Sequence, residues 1–395
     1  MPLEPAFFDE IIDRLGTNCQ KWDGMEARCG VSPEDGIAMW VADMDFRPPP
    51  SVPRALQGLI DRGVFGYPAS DAAMREAVCR WMEARHGWRI EPDHVFSTDG
   101  LVNAIALCLD VFSEPGDGVV VFSPVYHAFG KVVRAAGRRL VECPLALQNG
   151  RYAMDFERWA GQMTGGERIL LLCSPHNPGG RVWTPAELRA MAEFARRHDL
   201  LIVSDEVHHD LVLPDGPRHL PTALIDGVED RLVTLTAASK TFNLAGAHIG
   251  QVIIADAGLR ERFAARLRAL ALSSGAIPPV MVEAAYSVEG AEWLAALLDY
   301  LDGNRRLFDA GVAAIPGLRS MPLEATYLAW VDFAGTGMAP EAFTARVERD
   351  ARIAVNRGPT FGAGGESFLR FNLATPRARV AEAVDRLQAA FADLQ

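Results

Sequence analysis

Short, continuous runs of apolar residues alternate with longer amphipathic segments through the middle of the chain. Five of these runs are rich in Val, Ile and Leu, and they cover residues 118–122, 168–173, 200–204, 232–236 and 250–255. A strand that is apolar at every position, rather than at every second one, is typical of a sheet covered by helices on both faces. The pattern therefore predicts a buried, mainly parallel sheet.

The segments between the runs have the periodicity and the end signals of helices. Thr184, Pro185 and Glu187 form the sequence of a capping box with proline at the first helical position, which predicts a helix to about His198. A second helix is expected over 101–112. Strands that alternate with helices indicate an α/β fold in which ligands bind at the carboxyl ends of the strands.

The pattern changes after about Gly275. A long helical region over 277–308 leads into a mixed α and β pattern, which ends in a helix over 377–394. We therefore predict a large domain at 46–284 and a smaller α+β domain formed by 1–45 together with 285–395.

Composition excludes several classes of function. The net charge is −12 and no basic run occurs, so we expect no nucleic-acid binding. No apolar stretch has the roughly 18–20 residues that cross a bilayer, and the acidic N-terminal segment does not resemble a secretory signal. The six cysteines include no C-x-x-C pair, which favours reduced thiols in a cytoplasmic protein that does not bind membranes.

Three polar residues follow successive predicted strands. Asn177 comes after 168–173, Asp205 after 200–204 and Lys240 after 232–236. Their separations, 28 and 35 residues, correspond to about one strand–helix–strand unit each. Because parallel strands end at one edge of a sheet, these side chains are expected to face a single crevice.

This set suits the chemistry of a pyridine aldehyde cofactor, which needs an amine, a carboxylate and a neutral donor. Lys240 is one of only three lysines and supplies the amine that forms an imine. Asp205 would keep the ring nitrogen protonated, and Asn177 would donate to the phenolic oxygen. Either Asp205 or Asn177 taken singly could instead cap a helix.

Other positions fit the remaining parts of such a cofactor. Backbone N–H groups at the start of the predicted helix, at Gly100, Leu101 and Val102, could bind its phosphate. Tyr126 follows the strand over 118–122 and could stack on the ring, while His208 could reach the phenolic oxygen.

Taken together, these strings resemble a known family. Asn-Pro-x-Gly at 177–180, Asp-x-x-His at 205–208 and SKTFN at 239–243 look like the fold-type I pyridoxal-phosphate (PLP) enzymes of the class I/II aminotransferase superfamily. WVADMDF at 40–46 and FGYP at 65–68 are more similar to the MalY/PatB-type carbon–sulfur β-lyases, which include cystathionine β-lyase. The resemblance implies a large domain with a mainly parallel seven-stranded sheet between helices, plus a smaller α+β domain.

The resemblance also assigns roles to the residues that match the motifs. Lys240 would hold PLP as a Schiff base and transfer protons, with Asp205 and Tyr126 as its catalytic partners. Arg370 would bind the substrate carboxylate, and Asn177 and the backbone at Ala42 would line the substrate pocket.

The same likeness places two subunits around each phosphate. Tyr67 would reach the cofactor of the neighbouring subunit, which implies a homodimer with shared active sites. Two positions depart from class I aminotransferases, where a phosphate-binding arginine is usual at His248 and a serine is frequent at Ala237. The phosphate would then depend more on backbone amides, Ser239 and Tyr67.

The implied activity is the cleavage of L-cystathionine, or of another cysteine S-conjugate, to a thiol, pyruvate and ammonia. An aminotransferase that acts on an amino acid and a 2-oxo acid is the alternative, because it shares every step up to the carbanion. A PLP-fold regulator that binds a protein partner also stays open. No metal site is expected, since no third ligand stands at a suitable spacing from His208 and His209.

Overall fold

The computed structural model describes residues 5–394. Within this range the strands are β1 Ile37–Ala38, β2 Val95–Thr98, β3 Gly118–Val121, β4 Arg139–Glu142, β5 Ala146–Gln148, β6 Arg151–Ala153, β7 Glu167–Cys173, β8 Leu201–Asp205, β9 Leu232–Thr236, β10 Gly250–Ile253, β11 Arg319–Ser320, β12 Leu328–Asp332, β13 Ile353–Ala354, β14 Asn356–Arg357 and β15 Phe368–Asn372. The five strands predicted from apolar runs correspond to β3, β7, β8, β9 and β10.

The α-helices of the same range connect and cover these strands. They are α1 Gln20–Asp23, α2 Met25–Cys29, α3 Ser51–Arg62, α4 Ala72–His86, α5 Leu101–Phe112, α6 His127–Ala135, α7 Phe156–Ala160, α8 Pro185–Arg197, α9 Ala238–Thr241, α10 Ala257–Ala269, α11 Ile277–Ala285, α12 Val288–Ala313, α13 Pro340–Ala345 and α14 Arg377–Ala390. The predicted capping box begins α8, since Thr184 accepts from the Glu187 N–H and Glu187 bonds back to the N-cap. None of the helices described is both long enough and apolar enough to cross a membrane.

A seven-stranded sheet occupies the centre of the fold, with the strand order β2-β10-β9-β8-β7-β3-β4. All the neighbouring pairs from β9 to β4 are parallel, whereas β10 runs antiparallel to both β9 and β2. The predicted mainly parallel seven-stranded sheet is therefore confirmed.

Alternate residues of the strands pack into two different hydrophobic cores, which explains why the strands are apolar throughout. On one face Leu170 and Ile202 pack with Leu188 and Met191 of α8. On the other face the neighbouring strand residues pack with α5, α6 and α10. A strand buried on both faces is a costly place for charged side chains, so Asp205 and Lys240 lie at or just beyond the carboxyl ends of β8 and β9.

A second, antiparallel sheet has the order β11-β12-β15-β14. In its centre Arg370 of β15 pairs with Trp330 of β12 and Asn356 of β14. The short strand β1 pairs in parallel with β13, so the N-terminal segment packs against the C-terminal part of the chain. This pairing supports the predicted joint domain of 1–45 and 285–395, whose boundaries stay a prediction.

Candidate active site

The carboxyl ends of β7, β8 and β9 lie side by side at one edge of the large sheet. Cys173 at the end of β7 is in register with Asp205, and Asp205 is in register with Leu235 of β9. Asn177 and Lys240 therefore follow the strands that flank the one that ends in Asp205. The structure brings these three predicted site residues to a common edge, as the spacing of the sequence predicted.

Asp205 is a buried carboxylate without a countercharge in direct contact. Its Oδ1 accepts from the Val207 N–H at 3.1 Å, and the carboxylate forms no ion pair with any residue that the structure describes. Burial raises the pKa of Asp205 to about 7, against the opposing effects of that hydrogen bond and of Lys240. A positive charge placed beside this carboxylate would therefore stabilise its ionised form.

Lys240 lies in the short helix α9, directly after β9. Its Nζ donates to the carbonyl oxygen of Ala42 at 2.7 Å, and Tyr327 donates its hydroxyl to the same oxygen at 3.1 Å. Burial lowers the pKa of Lys240, while the nearby carboxylates of Asp43 and Asp205 act in the opposite direction. A lowered pKa favours the neutral amine, which is the form that reacts with an aldehyde or accepts a proton.

Arg370 links the small sheet to this edge of the large sheet. Its Nη1 donates to Asn177 Oδ1 at 2.9 Å, and its Nη2 donates to the carbonyl oxygen of Trp40 at 3.0 Å. Burial lowers the pKa of Arg370 to about 10, so the guanidinium stays charged at neutral pH. Its Nε is buried and has no partner among the described residues, which leaves a donor for a carboxylate.

Asn177 has a fixed orientation because its amide oxygen is occupied by Arg370. The amide nitrogen is then the group left to donate towards the crevice, as the predicted role at a phenolic oxygen requires. His208 lies nearby with both its ring and its backbone buried. Burial, with the charges of Lys240 and Arg370, places the pKa of His208 well below its ordinary value, so this ring is neutral.

Tyr126 follows β3 and forms the N-cap of α6. Burial raises the pKa of its phenol, which also lies close enough to Arg370 and Asp205 to interact with their charges. The ring packs edge-on against His127 and Phe129. Tyr126 thus lies at the same edge of the sheet as the three residues at the ends of β7, β8 and β9.

The start of α5 lies at this edge too, because β2 leads into it. Gly100 adopts φ +80° and ψ 167°, and the first helical hydrogen bond runs from the Ala104 N–H to the Gly100 oxygen. The N–H groups of Leu101 and Val102 precede that bond and have no acceptor within the helix. Such a helix start binds anions, as predicted for the cofactor phosphate.

Two further predicted phosphate ligands, Ser239 and His248, lie beside the end of β9 and the start of β10. Ser239 is the second residue of α9 and is partly buried, whereas His248 is exposed at φ +47°. Gly250 of β10 packs against the start of α5 so tightly that a Cβ at this glycine would lie 2.5 Å from Leu101 Cδ2.

Tyr67 is the predicted site residue that the structure leaves apart from the others. Its side chain is fully exposed and lies in a loop with Val64 and Phe65, which are exposed as well. It lines a surface cavity together with Pro279 and Glu283 of α11. Within the single chain, Tyr67 therefore makes no contact with the cluster around Lys240.

A buried polar network behind the site was missed by the sequence reasoning. Asp210 accepts from Trp81 Nε1 at 3.0 Å and from Thr241 Oγ1 at 3.2 Å, and it contacts His86 and His209 at 2.9 and 3.1 Å. The two histidines and Asp210 are spaced closely enough to hold a metal ion. The prediction that His209 lacks a third ligand at suitable spacing was wrong, because His86 of α4, far earlier in the chain, packs beside it.

The network is explained without an ion. Burial alone would lower the pKa of His209, but the carboxylate of Asp210 raises it, so the two form an ion pair. His86 has its pKa lowered to about 4 by burial and is neutral. The Asp210 carboxylate also accepts hydrogen bonds from Trp81 of α4 and from Thr241 of α9. The network therefore joins α4 to the turn that carries Lys240.

The fold and the site together define a class of protein. A parallel sheet with an amine, an unpaired carboxylate and an unpartnered guanidinium donor at its carboxyl edge suits an enzyme of amino acids that uses a phosphorylated pyridine aldehyde. The sequence profile of aminotransferase class I and II matches residues 34–387. The chain belongs to this family.

Individual relatives cover nearly the whole chain. It is 38% identical to cystathionine beta-lyase PatB of Bacillus subtilis, over 97% of this chain and 99% of PatB. It is 31% identical to the protein MalY of Escherichia coli, over 95% of this chain and 96% of MalY. Among solved structures, cystalysin of Treponema denticola, which contains a pyridoxal 5′-phosphate cofactor, superimposes with a TM-score of 0.92 at 34% identity, over 98% of this chain and 99% of cystalysin.

Proposed function

We propose that the chain is a PLP-dependent carbon–sulfur β-lyase, which cleaves L-cystathionine or a related cysteine S-conjugate to a thiol, pyruvate and ammonia. The observation that carries the proposal is the buried, unpaired carboxylate of Asp205 beside the amine of Lys240. A buried carboxylate without a cation is costly, and the protonated ring nitrogen of PLP is a cation of the required kind. The likeness to PatB supports the lyase as the specific reaction.

When it is bound, PLP supplies an electron-withdrawing ring that takes up the electron pair left on the substrate α-carbon. Lys240 is the residue that would hold the cofactor. Its Nζ would accept the α-proton of the substrate, and its lowered pKa suits this function as a general base. Asp205 remains ionised against the ring nitrogen throughout.

Arg370 and Asn177 orient the substrate. The guanidinium binds the α-carboxylate, because its Nε is buried without another acceptor. Asn177, held by Arg370 at 2.9 Å, would donate its amide N–H to the phenolic oxygen of the cofactor. Tyr126 would stack on the ring, and the N–H groups that follow Gly100 would hold the phosphate. Fixing the carboxylate sets which bond of the α-carbon faces Lys240.

The reaction then separates according to the β-substituent. With a sulfur substituent the carbon–sulfur bond breaks, and the electron pair leaves with the thiolate, which takes a proton. The remaining three-carbon amine is hydrolysed by water to pyruvate and ammonia. Without such a leaving group, a proton returned to the cofactor carbon would give transamination instead.

The experiment is an incubation of the purified protein with L-cystathionine and PLP but without a 2-oxo acid. A lyase forms pyruvate steadily over many turnovers, and the Lys240→Ala variant forms none. Aminotransferase activity is the second candidate, because the matching family profile is that of the class I and II aminotransferases. It would give one turnover that resumes only when 2-oxoglutarate is added, and that result would reject the lyase.

A homodimer with shared active sites is part of this proposal. The loop of Tyr67 exposes Val64 and Phe65, and Ile60 of α3 is exposed beside it. An apolar surface of this kind suits burial against a second copy of the chain, which would bring Tyr67 to the partner's phosphate site. The cytoplasmic location is likewise proposed, on the basis of six cysteines that are all free.

A further inference from the structure

The segment Trp40–Phe46 lines the site without being a helix or a strand. Its shape is held by side chains from elsewhere in the chain, which donate to its carbonyl groups. Asn372 donates to two of these carbonyls at 2.6 and 2.7 Å, Asn243 to two others at 3.0 and 2.8 Å, and Arg370 to a fifth at 3.0 Å. The carbonyl of Ala42, which accepts from Lys240, lies in the middle of this segment.

A buried ion pair holds the far end of the segment. Lys21 Nζ lies 2.8 Å from Asp45 Oδ2 and also donates to the carbonyl oxygen of Asp43 at 3.0 Å. Both side chains of the pair are 0% exposed. Trp22 and Arg14 donate to the other carboxylate oxygen of Asp45, each at 2.9 Å. Lys21 lies in the short helix α1, and Asp45 lies 24 positions further along the chain, so this contact is tertiary.

Among the Lys and Arg ion pairs that the structure describes, this one has both side chains fully buried, which makes its charges costly. Two fully buried charges lose their hydration, and an apolar pair of the same volume is often as stable. Their benefit is geometric, because one ammonium joins two acceptors that lie two residues apart in the segment. Those acceptors flank Met44 and immediately follow the residue that contacts Lys240.

We propose that Lys21 is a positioning residue of the active site, which acts through Asp45 and the Asp43 carbonyl to hold the Ala42 carbonyl against the amine of Lys240. The inference rests on the proposed role of Lys240 and extends it to a residue that does not touch the substrate. It also gives a function to the segment Trp40–Phe46, whose carbonyl groups accept hydrogen bonds from Lys21 and Lys240.

The charged groups around the Lys240 amine determine how its pKa would change if the segment Trp40–Phe46 were no longer held in place. Asp43 and Asp205 favour the ammonium form of Lys240, whereas Arg370 disfavours it and the neutral ring of His208 lies close by. If the segment is freed, the amine loses the carbonyl acceptor and the fixed neighbour Asp43. The neutral amine is then favoured further.

The test uses the double variant Lys21→Met/Asp45→Asn, which removes both charges of the pair. Arg14 keeps its ion pair with Asp43, and Arg379 loses a carboxylate that lies 3.7 Å away. The full chain without added cofactor is labelled with acetic anhydride across a pH series, and acetylation is quantified on each lysine peptide. Lys131 is exposed and serves as the reference within the same chain. The midpoint is the pH at which a lysine reaches half of its maximal acetylation rate. We expect the midpoint of Lys240 to fall by about half a pH unit or more, while that of Lys131 stays constant.

The matched control is Arg139→Met/Glu167→Gln, which removes a pair whose carboxylate is buried in β7. This control should lose thermal stability without moving the Lys240 midpoint. An unmoved midpoint in the Lys21 variant, or a shift to higher pH, would overturn the inference whatever happens to stability.

A second measurement separates this inference from the proposed function. The holoenzyme is incubated with L-alanine in D₂O, and loss of the α-proton signal is followed by NMR. This step is common to lyases and aminotransferases, and in the Lys21 variant we expect it to slow about tenfold at neutral pH. If the parent itself exchanges no proton, the role of Lys240 fails. If parent and variant exchange at the same rate, the role of Lys21 fails.

Discussion

At the scale of single residues, the buried carboxylate of Asp205 links the stability of the chain to the binding of its cofactor. A carboxyl group whose pKa is about 7 in the folded chain, against an ordinary value of 3.8, costs about 4 kcal/mol to keep ionised. The cofactor-free fold bears this cost, and a bound cation removes it. Affinity for the protonated ring and instability of the empty site therefore have one cause.

Asp205→Asn should accordingly stabilise the cofactor-free chain in a pH-dependent way. Below about pH 4 the parent carboxyl is protonated in both states, so the difference is small. The folded pKa is raised, so the parent loses stability as the pH rises from about 4 to about 7, and above that the variant should be more stable by up to about 4 kcal/mol. Urea unfolding between pH 5 and pH 8 measures the difference. The same difference at every pH would contradict this account.

With PLP bound, Asp205→Asn should be harmful, because it should lower the rate of α-proton exchange. The ring nitrogen loses its countercharge, and removal of one such electrostatic partner typically lowers the rate about 10²–10³-fold. The rate of α-proton exchange in D₂O measures this effect, with Glu167→Gln as a control at a buried carboxylate outside the site. An exchange rate within a factor of two of the parent would show that Asp205 does not contact the ring.

At the scale of elements, the site depends on where helices begin. Gly100 has φ +80° and ψ 167°, a region that is almost exclusive to glycine, and it turns the chain from β2 into α5. The space beside it is open, so a methyl group there would strain the backbone rather than clash.

Gly100→Ala should therefore weaken cofactor binding. Strain of about 1–3 kcal/mol would shift the N–H groups of Leu101 and Val102, and a loss of about 1.4 kcal/mol corresponds to a tenfold higher Kd for PLP. Fluorescence titration of the cofactor-free chain gives the Kd. Gly58→Ala is the matched control, because Gly58 has an ordinary helical φ and open space around it. Equal Kd values for both variants would refute a phosphate site at α5.

The elements that the sequence predicted are those whose signals are local. The strands β7, β8 and β9 are built largely from Val, Ile and Leu, and the capping box at Thr184 is contained within four residues. The antiparallel direction of β10 was not predictable, because a strand buried on both faces has the same pattern in either direction.

The site was predicted only as far as its residues follow strand ends. Asn177, Asp205 and Lys240 stand at regular intervals, so topology alone brings them together. Arg370 was found through a family resemblance, and its contact with Asn177 spans 193 positions. Lys21 carried no signal, because its function depends on a buried contact with a segment that has no regular structure.

At the scale of the whole molecule, the proposed homodimer would make the active unit larger than one chain, with the exposed loop of Tyr67 at its interface. If Tyr67 acts in the partner's site, each site combines Lys240 of one subunit with Tyr67 of the other. The domain division at 46–284 stays a prediction, and the pairing of β1 with β13 supports it.

Mixing two inactive variants tests this arrangement. In a hybrid of Lys240→Ala and Tyr67→Ala subunits, one of the two sites contains both intact residues. Half of the dimers are hybrids after random exchange, so activity should recover to about a quarter of the parent value. Pyruvate formation before and after mixing gives the result, and each variant mixed with itself is the control. No recovery despite subunit exchange would place Tyr67 in its own chain's site or outside the site.

Every step of the proposed reaction depends on Lys240 as the residue that binds the cofactor. The most direct measurement is reduction of the protein with borohydride in the presence of PLP, followed by peptide mass spectrometry. The chain has only two other lysines, Lys21 and Lys131, which act as internal references. We expect a stable phosphopyridoxyl group on Lys240 and on neither of the others. A label on Lys131, or none on Lys240, would contradict it.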